Sequence, residues 1–238
     1  TSIIFLSFTF FELKKITNLE FNYKKIFNFN KIKNIFNINL NIFIRSILLT
    51  FSFLFFTYLG NSISEDVVAA NTILINLIML SAFILDAYAF STEGLVGYSI
   101  GSKNKKLLKE IIKNSFILSS STGLIISFGY FLGKNHFIEI MTDLESIKII
   151  CISYSVWIVI IPFISSFCYQ FDGIFVGASK TKELRNAMIM SVGIYLLSSF
   201  FLVNFFGNLG LWISLSIFFI LRGLTLFLYL GRIYKAVI

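Results

Sequence analysis

The stretch from Val67 to Gly101 reads VVAANTILINLIMLSAFILDAYAFSTEGLVGYSIG and carries only two charged side chains, Asp86 and Glu93. As an α-helix it would be about 50 Å long, whereas ~20 helical residues suffice to cross a hydrocarbon core of ~30 Å. The stretch therefore predicts a transmembrane helix that tilts, bends or extends beyond the lipid.

The rest of the chain repeats this pattern. Apolar runs separated by short polar connections predict five further spans: Asn41–Leu59, Asn114–Leu132, Ile149–Gln170, Ala187–Val203 and Leu211–Leu230. Charged residues make up 13% of the chain, far below the roughly 25% of a soluble domain. This composition excludes an ordinary water-soluble enzyme. It predicts an all-α, polytopic integral membrane protein surrounded by a lipid bilayer.

The chain opens with an apolar run, Thr1–Phe11, that is too short to span a membrane alone. We interpret it as the end of a truncated transmembrane helix, because no basic region precedes it as in a signal peptide. Residues 12–40 alternate Phe and Ile with Asn and Lys, which predicts either an amphipathic surface helix or a plain cytoplasmic connector. Residues 41–238 would then form a six-helix transmembrane domain.

Basic residues are divided unequally between the two ends of the predicted spans. One side has only Lys134 and Lys148, and two further arginines fall within spans. Because cytoplasmic loops are rich in Lys and Arg, the other side is predicted to be cytoplasmic, with the C-terminus on it. The net charge of +8 thus follows from topology, and we expect no nucleic-acid partner. The basic side carries Lys14, Lys15, Lys24, Lys25, Lys31, Lys33, Lys103, Lys105, Lys106, Lys109, Lys113, Lys180, Lys182, Arg185, Arg232 and Lys235.

Five ionisable side chains fall within or near the predicted spans. A charge at the centre of a bilayer costs at least ~2.5 kcal/mol, so each needs a partner, a water-filled cavity or a function. Asp86 and Glu93 are seven residues apart and share one helix face, so both can line one cavity. Two such carboxylates can exchange a proton or jointly hold a sodium ion or an organic cation. The other three are Arg45, Asp172 and Arg222.

Each of these residues also has a structural interpretation. Arg45 and Glu93 lie at similar predicted depths and are candidates for an ion pair between two helices. Asp172 is a cavity candidate, but its place near a cytoplasmic loop also allows simple solvation. Arg222, in the middle of its span beside Gly223, is expected to form a structural ion pair with another helix.

Weaker signals come from uncharged residues within the spans. Pro162 removes one backbone hydrogen bond from its helix, which predicts a kink at mid-membrane depth. Asn71, Tyr88 and Gln170 are candidates for lining a substrate cavity, although each can equally hydrogen-bond a neighbouring helix. The single histidine, His136, lies in a predicted outward loop with no Cys or His partner for zinc. We therefore expect no enzymatic activity, no metal site and no cofactor.

Four strings carry a resemblance to a known family. LSAFILDAYAFSTEGLVGYSIGS (Leu80–Ser102) and YQFDGIFVGASKTKELRNAM (Tyr169–Met188) resemble the eighth and tenth helices of MATE (multidrug and toxic compound extrusion) transporters, in the DinF-like branch. NIFIRSILLTFSFLFF (Asn41–Phe56) and GLWISLSIFFILRGLTL (Gly210–Leu226) are similar to the seventh and twelfth helices. The resemblance covers most of the chain from Asn41 onward, in the family's order, and identifies it as a carboxy-terminal lobe.

The resemblance implies a secondary antiporter of the inner (plasma) membrane that exports small cationic or amphipathic compounds by alternating access. Its partner would be a missing amino-terminal lobe of six helices. Because Asp172 does not align cleanly with the acid of sodium-coupled relatives, protons are preferred over sodium as the coupling ion. A lipid-linked oligosaccharide flippase of the same superfamily is one alternative, and an inactive truncated lobe that needs a partner chain is another.

Overall fold

The computed structural model describes residues 29–235, and all of its regular elements in this range are α-helices. The chain divides into two compact units, residues 1–37 and residues 38–238. Of the first unit, only the helical residues 29–37 are described, and the predicted helix end at residues 1–11 lies outside the described range. The helices are α1 Phe29–Ile63, α2 Glu65–Gly101, α3 Lys105–Met141, α4 Glu145–Tyr154, α5 Val156–Gly177, α6 Thr181–Phe206 and α7 Asn208–Lys235.

Six of these helices are long and apolar enough to cross a membrane, which confirms the predicted number of complete spans. Most helices extend further than hydropathy alone predicts. The largest extension is in α3, where the predicted span Asn114–Leu132 becomes Lys105–Met141. His136 consequently lies within this helix and not in a loop. Helix α1 begins at Phe29, inside the segment predicted to be a connector.

The fourth predicted span, Ile149–Gln170, is wrong as a single helix. The structure has a break at Ser155, between α4 and α5. The backbone N–H of Ser155 donates to the carbonyl of Ile152 at 3.2 Å, and its hydroxyl donates to the same carbonyl at 2.7 Å. The backbone bond joins residues three apart, as in a 3₁₀-helix, and not four apart as in an α-helix, so α4 ends here. Pro162 lies seven residues later inside a continuous α5, so the kink there stays a prediction.

Helix α5 is the central helix of the lobe, and glycine lets α2 approach it closely. A Cβ atom added at Gly173 would overlap the Ala89 carbonyl oxygen, and one at Gly177 would overlap that of Glu93. The two glycines are four residues apart and therefore lie on one face of α5. Small residues at this spacing allow membrane helices to pack backbone to backbone. The α2–α5 contact therefore requires glycine at both positions.

Polar networks join α7 and α1 to the rest of the lobe at its two ends. At one end, the Asn71 side chain exchanges two hydrogen bonds with Asn208 (2.7 and 3.1 Å) and accepts a third from Trp212 Nε1 (3.0 Å). At the other end, Asn41 of α1 donates to Thr181 and accepts from Arg185 of α6. Such bonds are satisfied inside the lobe, where neither lipid nor water would replace them.

The α2–α5 contact generates the first prediction. We expect Gly173→Ala to lower the free energy of unfolding by about 1 to 3 kcal/mol or more, because the new methyl group would overlap the backbone of α2, which cannot shift without moving the rest of that helix. Gly193→Ala in α6 is the matched control, since its Cβ would have no neighbour within 4 Å. Thermal melting of the purified proteins in detergent measures both, and equal melting temperatures would contradict the proposed close packing.

Candidate cation site

A buried carboxylate joins three helices near the middle of the lobe. Asp172 of α5 accepts a hydrogen bond from Arg45 Nη1 of α1 at 2.8 Å and another from Arg222 of α7. Arg222 is 1% exposed and Asp172 is 8% exposed. The Arg222 guanidinium also lies over the ring of Tyr169, 5.5 Å from the ring centroid. The cluster is therefore a largely buried ion triad in which both arginines contact one oxygen of Asp172, Oδ2, while its Oδ1 has no hydrogen-bond partner among the described residues.

Two expectations for this cluster are wrong. Arg45 pairs with Asp172 of α5 at 2.8 Å and not with Glu93 of α2. Asp172 is likewise not solvated at the membrane interface, since two arginines enclose it. Both errors came from measuring depth along single helices, which gives no information on which neighbouring helix lies closest.

A cavity of about 120 Å³ adjoins the triad. The two carboxylates of α2, Asp86 and Glu93, line it together and are half-buried. Neither makes an ion pair among the described residues. The cavity is lined by Arg45, Leu49, Asp86, Ala89, Phe90, Glu93, Tyr169, Asp172, Gly173, Val176 and Arg222.

The charges around this cavity do not balance. Three carboxylates face two guanidinium groups, so the fully ionised site would carry one excess negative charge. The two guanidinium groups are already bound to Asp172. With Asp172 they carry a net charge of +1, whereas Asp86 and Glu93 together carry two negative charges, so one proton or monovalent cation bound to Asp86 or Glu93 would neutralise the whole site.

Three other predicted candidates do not line the cavity. Asn71 lies fifteen residues before Asp86, ~22 Å along α2, in the network with Asn208 and Trp212. The Tyr88 hydroxyl accepts a hydrogen bond from Thr122 of α3 at 2.9 Å, and Gln170 Nε2 donates to Thr92 at 2.6 Å.

The periodicity of the helix explains why Tyr88 and Gln170 do not line the cavity. Tyr88 follows Asp86 by two residues and Gln170 precedes Asp172 by two, which is ~200° around a helix in each case. Tyr169, which sequence analysis did not single out, lines the cavity instead. Its position three residues before Asp172, on the same helix face, is the signal that would have found it.

Metal binding has little support in this site. Among residues 29–235 no group of three or more His, Cys, Asp or Glu side chains is arranged to hold a metal ion. Asp86 and Glu93 alone offer too few ligands for a closed divalent site. The arrangement therefore fits a proton or a single positive charge better than a divalent metal.

Comparisons with known proteins place the chain in a family. The MatE family model matches residues 42–203. The chain is 32% identical over 189 residues to DNA damage-inducible protein F of Escherichia coli (strain K12), and the match covers 79% of the chain and 41% of that protein.

Two solved structures share the fold. The Vibrio cholerae MATE transporter VcmN in the bent form aligns with a TM-score of 0.80 at 16% identity, over 92% of the chain and 50% of that protein. A MOP superfamily transporter from Pyrococcus furiosus aligns with a TM-score of 0.76 at 18% identity, over 83% of the chain and 44% of that protein. The chain thus spans about half the length of the relatives it matches.

The second prediction concerns the ion triad. We expect Asp172→Asn to destabilise the protein by about 3 to 5 kcal/mol, because it leaves the buried Arg222 guanidinium without a counter-ion. The double variant Asp172→Asn/Arg222→Met should recover most of this loss, since it removes the more deeply buried of the two charges that lose their counter-ion. Membrane abundance and melting temperature measure both effects.

Asp143→Asn, in the exposed connection between α3 and α4, provides the matched control for the loss of an aspartate charge. A single variant at Asp172 as stable as this control would show that the triad does not hold the three helices together.

Proposed function

The chain belongs to the MatE family of multi-pass membrane transporters, which are not enzymes, and from this premise we propose that it forms one lobe of a secondary antiporter. The proposed activity is export of small cationic or amphipathic compounds in exchange for protons. The observation that supports it is the cavity in which the two carboxylates Asp86 and Glu93 outweigh the net charge of +1 on the adjoining triad, so that the site as a whole has one excess negative charge.

In the proposed mechanism Asp86 and Glu93 bind either protons or the cation that is exported. Binding of one excludes the other electrostatically, because the site has a single excess negative charge to neutralise. Exchange then requires that the occupied site opens alternately to each side of the membrane. Asp172, held by Arg45 and Arg222, keeps α1, α5 and α7 together while the charge on α2 changes.

A lipid-linked oligosaccharide flippase is the weaker candidate. Its substrate carries phosphate and would require cationic groups that are free to bind it. In the described cavity Arg45 and Arg222 are both paired with Asp172, and although each keeps N–H donors without a partner, the three carboxylates outnumber the two guanidinium groups and would repel an anion. The site therefore supports recognition of cations better than recognition of phosphate.

The wider arrangement of the transporter is also part of the proposal. Residues 41–238 would form the carboxy-terminal lobe, residues 12–40 a cytoplasmic connector and residues 1–11 the end of a preceding helix. An amino-terminal lobe of six helices would complete the cavity, in the inner (plasma) membrane. The match to about half of each relative supports this division. An inactive lobe is the alternative, and the sequence encoded upstream of Thr1 distinguishes the two.

The third prediction tests Asp86. We expect Asp86→Asn to leave membrane abundance unchanged and to reduce efflux by the intact two-lobed transporter at least about tenfold, because its neutral amide neither releases a proton nor attracts a cation. Efflux of a fluorescent cationic dye, measured across a range of external pH, gives both the rate and its pH dependence.

Asp143→Asn again serves as the control and should transport normally. Unchanged efflux by Asp86→Asn, with its pH dependence retained, would assign Asp86 a purely structural role.

The fourth prediction tests membrane orientation, which rests on the distribution of basic residues. A cysteine at Ser62 or Asp143 should react with an impermeant thiol reagent added to intact cells, whereas one at Lys106 should react only after the membrane is opened. All three side chains are exposed, and the native Cys151 and Cys168 are buried. The opposite labelling pattern would invert the topology.

A further inference from the structure

An apolar groove of about 610 Å³ runs along the lobe between α3, α5 and α7, and none of its lining residues lines the cation cavity. All of its lining side chains are apolar, and six of them are phenylalanines. Gly223 leaves room at its floor, because a Cβ there would meet nothing closer than 3.9 Å. The rim is open, since Phe167, Leu224 and Phe227 are exposed.

The dimensions of the groove match one leaflet of a bilayer. Along α7 its lining extends from Phe219 to Leu230, which is ~16 Å at 1.5 Å per residue. Half of a hydrocarbon core of ~30 Å is ~15 Å. The groove therefore has the length of one acyl chain in one leaflet.

Positive charge lies at one end of the groove only. On α3, Lys109 precedes the lining residue Ile112 by one turn, and Lys113 lies between Ile112 and Phe116. Both lysines are exposed and make no ion pair among the described residues. Lys235 ends α7 one turn beyond Leu230. Glu110, the one acidic residue nearby on α3, is two residues from Ile112 and is thus turned away from that face.

We propose that this groove is a binding site for an anionic phospholipid of the leaflet on the basic side of the lobe. One acyl chain lies against the phenylalanines, and the phosphate headgroup contacts Lys109 and Lys113. The apolar lining selects the chain, and the lysines select negative charge, because basic residues between membrane helices at this surface attract anionic headgroups. The site shares no lining residue with the cation cavity, and lipid binding there does not require the proposed transport activity.

A tryptophan introduced in place of Phe227 can test this proposal directly. Because Trp157 and Trp212 also fluoresce, the signal is the emission that Phe227→Trp adds to that of the parent protein, with the full chain in vesicles, and lipid whose acyl chains carry bromine quenches it on contact. We expect brominated phosphatidylglycerol to reach half-maximal quenching at about a tenfold lower mole fraction than brominated phosphatidylcholine. Ile189→Trp on α6 is the depth-matched control, because Ile189 is exposed and lies outside the groove. It should be quenched equally by the two lipids.

Two variants then separate the parts of the site. In the Phe227→Trp background, Lys109→Gln/Lys113→Gln should abolish the preference for phosphatidylglycerol, while Lys180→Gln/Lys182→Gln, with the same loss of charge, should keep it. Gly223→Leu should fill the floor of the groove and weaken quenching at position 227 but not at position 189.

Equal quenching of the Phe227→Trp protein by both lipids, with no other change in the chain, would overturn the proposal. If the tryptophan at position 189 were quenched and the one at position 227 were not, the proposal would also be overturned, because the groove would then be covered by protein, such as a second copy of the chain.

Discussion

The backbone contact between α2 and α5 is the constraint on which the other features of the lobe depend. Gly173 and Gly177 permit it, and any side chain at either position would overlap a carbonyl group of α2. Lipid provides no hydrophobic driving force between apolar helices, so stability in a membrane comes from close packing and internal hydrogen bonds. The same contact brings Asp172 within the cavity that Asp86 and Glu93 line. Packing and the charge arrangement therefore have one structural cause.

The ion triad lies beside this contact and determines which acids remain without a partner. Asp172 is adjacent to Gly173, so the closest point between α2 and α5 lies directly beside the most buried acid. Arg45 and Arg222 reach Asp172 from helices on two different sides. With two guanidinium groups on one carboxylate the triad has a net charge of +1, which makes Asp172 a poor site for a further cation. This explains why the exchangeable charge is assigned to α2, whose acids have no such partners in the described structure.

Much of the fold could be predicted from the sequence, because the distribution of apolar residues alone determines how many times the chain crosses a bilayer. The break at Ser155 could not, since hydropathy averages over a window and does not register one turn of altered hydrogen bonding. The partner of Arg45 was also out of reach, because it depends on which helices are neighbours. The Gly173 and Gly177 spacing was visible in the sequence, however. Read as a packing motif, it would have indicated that α5 is central and that Asp172 is buried.

The cation cavity and the lipid groove share the wall formed by α5 and α7. On α5, Phe171 lines the groove and the next residue, Asp172, lines the cavity. On α7, Arg222 lines the cavity and the next residue, Gly223, lines the groove. Consecutive residues on a helix are ~100° apart, so a rotation of α7 by that angle would move Arg222 away from Asp172 and into the groove. An acyl chain held beside Gly223 would oppose this rotation, because the arginine would then enter occupied apolar space. Lipid bound as proposed would therefore favour the α5–α7 arrangement in which Arg222 and Asp172 form their ion pair.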